Sequence, residues 1–385
     1  MHIRNARGAL FLCAVAAAAA VAALPGCGRS GGAAPHPNAP ARTDDGRVVD
    51  LYNWADYIAP STAQEFQERT GIKLRVSTFE TNETLESRLM TGDSGYDVVV
   101  PTAPYLQRQI RGGAYRPLDK KLLPNLANLD PTLMERVALN DPGNAHSVIY
   151  MWGTYGIGYN VSKVGEALGG PAPDGWGLFF DPAYASRLQN CGIGTIDAPA
   201  GVIRLVLKYL GRDPNAPGPG DHKDAERVLL RIRPFIRTIN TTNVIESISN
   251  GDLCIALGYN GDFVQARNRA REANNGIQIA FLLPREGSLL WFDMLAIPRN
   301  APHAANALAL INFLMDPHVI AAISNYIGFA NANIAATPFL DPSIASDPIV
   351  FPTPDQRRRL FVQAEDSPEQ ARALTRIWEK FKTGQ

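Results

Sequence analysis

An α/β fold built in two lobes is predicted by three observations. Short apolar strands alternate with amphipathic helices along the body of the chain, about 340 of the 385 residues lie beyond an N-terminal export segment, and that length exceeds what one core usually organises. The first strand is read at residues 48–52, and a helix follows at 61–70 with Ser61 as its N-cap and Gly71 as its stop. A strand at 73–79, a helix at 83–90 and a strand at 97–100, ending at Pro101-Thr102, continue the alternation. Gly153 to Gly158 sits in a further strand. Strands are then read at 191–196, 252–257, 276–282 and 290–297, and helices at 202–210, 225–232, 263–273, 303–315, 320–326 and 371–381. Short apolar strands between helices argue for a mainly parallel sheet.

The N-terminus sets the compartment. Arg4 and Arg7 precede an alanine-rich apolar run at 9–24, which Leu24-Pro25-Gly26-Cys27 closes, so residues 1–26 read as a secretory signal peptide. The run is short for a membrane span, which needs ~20 residues. A small residue directly before Cys27 suits lipidation of that cysteine, and residues 27–46, rich in Gly, Ala and Pro, read as a lipid-anchored flexible linker. Cys191 and Cys254 are then the only cysteines of the body. In an oxidising compartment they most simply form one disulfide, the alternative being two buried free thiols.

Composition excludes several classes. Lys+Arg and Asp+Glu number 37 each, so no overall basic field draws the chain to nucleic acid. Beyond residue 24 no apolar run is long enough to span a bilayer, which leaves an N-terminal lipid as the membrane contact. His2, His36, His146, His222, His303 and His318 show no metal-ligand spacing with one another or with Cys or acid, so no metal and no cofactor is expected. There is no nucleophile elbow and no phosphate loop. The chain therefore reads as a non-enzyme, although plentiful acids leave a carboxylate-dependent hydrolase as the alternative from another class.

Three clusters carry the positive signal. Trp54-Ala55-Asp56-Tyr57 follows the first strand, Tyr259-Asn260-Gly261-Asp262 follows another apolar run, and Trp291-Phe292-Asp293 lies in a third. Any one of them reads equally as structure, because Trp and Tyr fill cores and an Asp after a strand often caps the next helix. Together they set aromatic faces beside carboxylates at strand ends, which suits an ammonium ion.

These residues also carry a resemblance. Leu51 to Tyr57, Gly95-Tyr96-Asp97-Val98-Val99-Val100-Pro101-Thr102, Tyr150-Met151-Trp152-Gly153 with Gly156 to Asn160, and Ala330-Asn331-Ala332-Asn333 resemble the polyamine-binding proteins of bacterial ABC importers, most closely the putrescine-binding members. The likeness runs in order from about residue 47 to the C-terminus. It implies the two-lobe type II periplasmic binding protein fold with a ligand cleft between the lobes. Residues 47–152 plus 277–325 would form lobe 1, and 153–276 plus 326–385 lobe 2. It further implies a Cys191–Cys254 disulfide, an aromatic box of Trp54, Tyr259, Trp291 and Phe329, and amine-binding acids at Asp56, Asp262 and Asp293. Tyr57 and Thr102 would be polar neighbours and Gln363 a further ligand contact. A membrane permease would be the partner of a monomeric receptor. Gly201 and Ala198 depart from the pattern, since acids stand there in family members, and Trp291 and Gln363 resemble spermidine binders instead. Agmatine, spermidine or a sensory co-receptor role are the alternatives within the same fold.

Overall fold

The computed structural model describes residues 46–385. The export segment, Cys27 and all but the last residue of the tether lie outside the described residues. Ten strands form the framework: β1 Val48–Trp54, β2 Lys73–Phe79, β3 Val98–Val99, β4 Ser147–Asn160, β5 Ile193–Thr195, β6 Ile236–Ile239, β7 Ile255–Tyr259, β8 Ile279–Leu282, β9 Leu289–Ala296 and β10 Phe361–Val362. Their order is β2-β1-β3-β9-β4-β7-β5-β6, with β8 also on β4 and β10 also on β9.

The expected mainly parallel sheet is corrected to a mixed one. Parallel pairing holds β1 to β2 and β3, β5 to β6 and β7, and β10 to β9. The centre is antiparallel, because β4 pairs with β7, β8 and β9 and β9 with β3. Fourteen-residue β4 is the reason: Ser147 to Thr154 pair with β9, while Tyr155 to Asn160 pair with β7 and β8. One strand thus runs from the first strand group into the second. Twelve consecutive positions of it are buried, so it carries no polar alternation by which its full length could be read.

Most helices fall within a few residues of expectation. Ser61 precedes the helix Thr62–Thr70, and Gly71 ends it in the left-handed conformation that glycine adopts without cost. The helix expected at 263–273 starts earlier, at Asn260–Glu272, with Tyr259 at its N-cap position. Asp262 is therefore a first-turn residue, where negative charge complements the helix dipole, and not the cap. The helix pair Ala304–Leu314 and Pro317–Ile327 is bent by 72°, and among the described residues no single helix is long and apolar enough to cross a membrane.

Cys191 and Cys254 are disulfide-bonded, with their Cα atoms 5.4 Å apart. Buried Asp97 accepts from the backbone N–H groups of Asp50 and His303, and Asp50 in turn takes the fork of Arg75 at 2.7 and 2.6 Å. The Asp50, Asp97 and His303 group is thereby committed to tying β1 and β3 to the loop before residue 304. Asp197 accepts from Trp378 Nε1 of the last helix. Of the run Arg357-Arg358-Arg359, the last two are exposed, whereas Arg357 is half-buried with Asp130 3.8 Å away.

Candidate functional site: a ring-lined acidic slot

The C-terminal ends of strands supply the site. Trp54 ends β1, Thr102 follows β3, and Tyr259 ends β7, which is where open α/β sheets present ligands. Alternation along β9 puts Trp291 and Asp293 on one face and Leu290 and Phe292 on the other. Register does the rest, pairing Gly153 of β4 with Trp291 and Met151 with Asp293. A Cβ at Gly153 would lie 2.4 Å from the Trp291 ring, so the indole lies flat against the strand only because that position has no side chain.

Asp293 is buried and held at both oxygens. Thr102 Oγ1 donates to Oδ1 at 2.8 Å, and the Tyr57 hydroxyl donates to Oδ2 at 3.0 Å. Thr102 is itself fixed by Asn82, which accepts from its N–H at 3.0 Å and donates to its hydroxyl at 3.1 Å. Burial pushes the Asp293 carboxyl up to about 7 despite those two bonds, which act in the opposite sense. Burial and then the charge of Asp293 hold the Tyr57 phenol protonated, which makes it the donor in that bond. The Tyr57 backbone is pinned in turn, since its carbonyl accepts from Tyr150 at 2.7 Å and from Asn53 at 3.3 Å.

Asp262 is the second acid, and burial alone pushes it up to about 7. Its charge is felt at both Tyr57 and Tyr259, as is that of Asp293, so the two carboxylates share one set of rings. Among the described residues no Lys or Arg accounts for the state of either acid. Desolvated carboxylates without a cation, Asp293 buried and Asp262 half-buried, are costly, because low-dielectric surroundings penalise the charged form.

Six rings run past them edge to face. Tyr150 meets Tyr57 at 5.6 Å, Tyr57 meets Phe329 at 5.7 Å, and Phe329 meets Trp291 at 5.3 Å between centroids. Trp291 then meets Tyr259 at 6.1 Å, and Tyr259 meets Tyr155 at 4.9 Å. Phe329 reaches its place over Gly261, where a Cβ would lie 2.2 Å from the ring. Ring faces carry negative potential, so such a ladder beside two acids attracts a cation with an apolar stem.

The structure thus brings together Tyr57, Thr102, Tyr259, Asp262, Trp291, Asp293 and Phe329 of the residues singled out by sequence. Trp54 stands apart from the ladder, tilted on Phe79 at 4.4 Å with its Nε1 donated to the Val100 carbonyl. Asp56 is exposed at a left-handed φ of 51° and makes no contact with the Asp293 group. Gln363 is half-buried, and its carbonyl accepts from Asn140 at 3.3 Å. Sequence reading missed Asn82, Tyr150 and Tyr155 as site residues. Tyr150 and Tyr155 lie in β4 with no acid beside them in sequence, so only register reveals them. A cavity of about 330 Å³ lined by Arg136, Trp152, Leu290 and Arg357 is a separate feature, on the face of β4 and β9 opposite Trp291.

Mixed-sheet topology with a shared central strand and a ligand slot at strand ends defines an extracellular solute-binding protein. Residues 61–353 match the family model of bacterial extracellular solute-binding proteins, and the chain belongs to that family. It is 44% identical over 340 residues, 88% of this chain and 92% of the relative, to the putrescine-binding periplasmic protein PotF of Escherichia coli. It is 42% identical over 345 residues, 89% of this chain and 94% of the relative, to the putrescine-binding periplasmic protein SpuD of Pseudomonas aeruginosa. Among solved structures, the spermidine/putrescine ABC transporter substrate-binding protein PotD of Streptococcus pneumoniae superposes with a TM-score of 0.76 at 25% identity, covering 88% of this chain and 99% of that one. The first two are named as binding proteins and the third as the substrate-binding protein of an ABC transporter, and this chain is likewise a binding protein rather than an enzyme, with the two-lobe fold expected.

Proposed function

We propose that the chain is a non-enzymatic periplasmic receptor that captures a polyamine, putrescine foremost, and delivers it to the membrane permease of an ABC importer. The carrying observation is the pair Asp262, half-buried, and Asp293, buried, each pushed up to about 7 by desolvation with no cationic partner among the described residues, set along a ladder of rings. A diamine answers both needs, since its ammonium ends neutralise carboxylates and its methylene stem lies on aromatic faces. Residues 47–152 with 277–325 act as one lobe and 153–276 with 326–385 as the other, closing because the ligand binds the closed form better. The receptor works as a monomer, tethered by a lipid on Cys27. Six heavy atoms at ~1.5 kcal/mol each cap putrescine binding near roughly 9 kcal/mol, which is micromolar or slightly tighter.

A second reading within the class has support from a relative named a putrescine/agmatine-binding protein, 40% identical over 337 residues. Calorimetry of the processed protein with putrescine, cadaverine, spermidine, spermine and agmatine separates these readings. Failure of all five to bind removes the polyamine reading, and turnover of a bound amine would return the hydrolase alternative.

A further inference from the structure

Tyr155 closes the ring ladder at the end away from Tyr150, and its position depends on a missing side chain. A Cβ at Gly201 would stand 2.6 Å from the Tyr155 hydroxyl and 2.7 Å from Cζ, so the phenol occupies the space that any other residue at 201 would need. Gly201 is buried in the helix Pro199–Tyr209, which begins just beyond the end of β5. Tyr155 lies two residues beyond Gly153 on β4, hence on the face that carries Trp291, and pairs directly with Tyr259 across the strands. The two rings meet edge to face at 4.9 Å, and burial holds the Tyr155 phenol up to about 12 and the Tyr259 phenol well above its ordinary value, so both oxygens stay neutral.

The charges around this end are unequal. Asp293 and Arg204 act on Tyr155 in opposite senses, Arg204 standing three residues past Gly201 on the same helix. Arg204 is buried and paired with Asp366 at 2.6 Å, and its Nε has no partner. A cationic chain prolonged past Tyr155 would meet a bulky ring and then a guanidinium.

We propose that Tyr155, admitted by Gly201, is the specificity-determining end wall of the slot and selects short diamines over longer polyamines. This rests on the polyamine reading above. The ring fills the volume that an additional aminopropyl arm would require, and its neutral hydroxyl pair with Tyr259 offers acceptors to one ammonium while offering no charge to a second. Length selection of this kind is worth about 10- to 200-fold per misfit group in a closed pocket.

The test is titration calorimetry of wild type, Tyr155→Leu, Tyr155→Phe and Gly201→Ala with putrescine, cadaverine and spermidine. Tyr155→Leu shortens the wall and is expected to shift the putrescine-to-spermidine affinity ratio toward spermidine by about tenfold or more. Tyr155→Phe keeps the bulk and removes the hydroxyl, so it weakens all three amines by a similar factor and preserves the ranking. Gly201→Ala drives the phenol into the slot and is expected to move the ratio the other way, which provides a reading should Tyr155→Leu not fold. A ratio unchanged in whichever of these two variants folds overturns the wall while leaving the polyamine reading intact. Absence of binding by wild type to all three amines overturns the wall, and the polyamine reading falls with it when spermine and agmatine fail to bind as well.

Discussion

The Tyr57 hydroxyl lies 3.0 Å from Oδ2 of Asp293, a residue 236 positions away in sequence, and donates to it within a buried site. With Thr102 on the other oxygen, the bond fixes the carboxylate orientation and leaves its remaining lone pairs for a ligand. Because both donors are neutral, the charge Asp293 carries once it is deprotonated is left for a ligand, where a Lys or Arg neighbour would have cancelled it.

Replacing Asp293 by Asn should therefore weaken putrescine binding by about 100-fold or more, since truncating one side of a buried charge pair costs roughly 2–5 kcal/mol. Tyr57→Phe, which keeps the ring and removes one donor, should cost nearer tenfold, in line with about 1.5 kcal/mol for a hydrogen bond to a charged group. Calorimetric Kd values for the two variants check the order. Equal losses would mean that the hydroxyl, rather than the charge, carries recognition.

Binding should depend on pH with a defined sign. Asp262 and Asp293 are raised from 3.8 to about 7 in the ligand-free fold, so the folded state holds extra protons between about pH 4 and 7. Ligand-free stability consequently falls as pH rises through that window. Amines stay cationic to about pH 10. Affinity should climb from about pH 5.5 to 7 and level off above it, with protons released on binding near pH 6. Calorimetry in two buffers of different ionisation enthalpy measures the release. A Kd indifferent to pH across this range would sink the assignment of these two acids as the amine partners.

The Cys191–Cys254 bond closes a separation of 63 residues and joins the start of β5 to that of β7. Closing a loop of that size contributes about 4 kcal/mol in the chain-entropy picture. Cys191→Ala/Cys254→Ala should lower Tm by roughly 8 °C, at about 2 °C per kcal/mol for a chain of this size. Unchanged melting by scanning calorimetry under oxidising and reducing conditions alike would contradict it. Amine affinity should change little, because the bond lies at the starts of β5 and β7 while Tyr259 stands at the far end of β7.

How much of this was legible in the sequence follows from how each feature is encoded. The helix Thr62–Thr70 with Gly71 was readable because amphipathic periodicity and a stop signal are local. Strand direction was not, since β4 is buried through twelve consecutive positions and shows no alternation, and the antiparallel centre depends on contacts between residues 147–160 and 289–296. Likewise Asp262 and Asp293 were readable from an aromatic beside an acid. Tyr155 was not, because its role is created by the absence of a side chain at Gly201, 46 positions later. Trp54 shows the converse: its neighbourhood in sequence promised the slot, while its indole N–H is committed to the Val100 carbonyl.

Of the three acids expected to act together, Asp56, Asp262 and Asp293, the first two are placed in different environments, and this yields the sharpest contrast. Asp56 is exposed on a turn at φ 51°, where water and salt screen its charge, whereas Asp262 sits in the first turn of Asn260–Glu272 with burial raising its carboxyl to about 7. Asp262→Asn should weaken putrescine by about 30-fold or more, as loss of a desolvated charge partner does. Asp56→Asn should cost about threefold at low salt and less in about 0.15 M salt, as exposed pairs do. Salt titrations of Kd on both variants separate them, because only the exposed contribution fades with ionic strength. A large, salt-insensitive loss in Asp56→Asn would show that the turn carrying Asp56 folds over the ligand when it binds, restoring Asp56 to the set of direct amine partners.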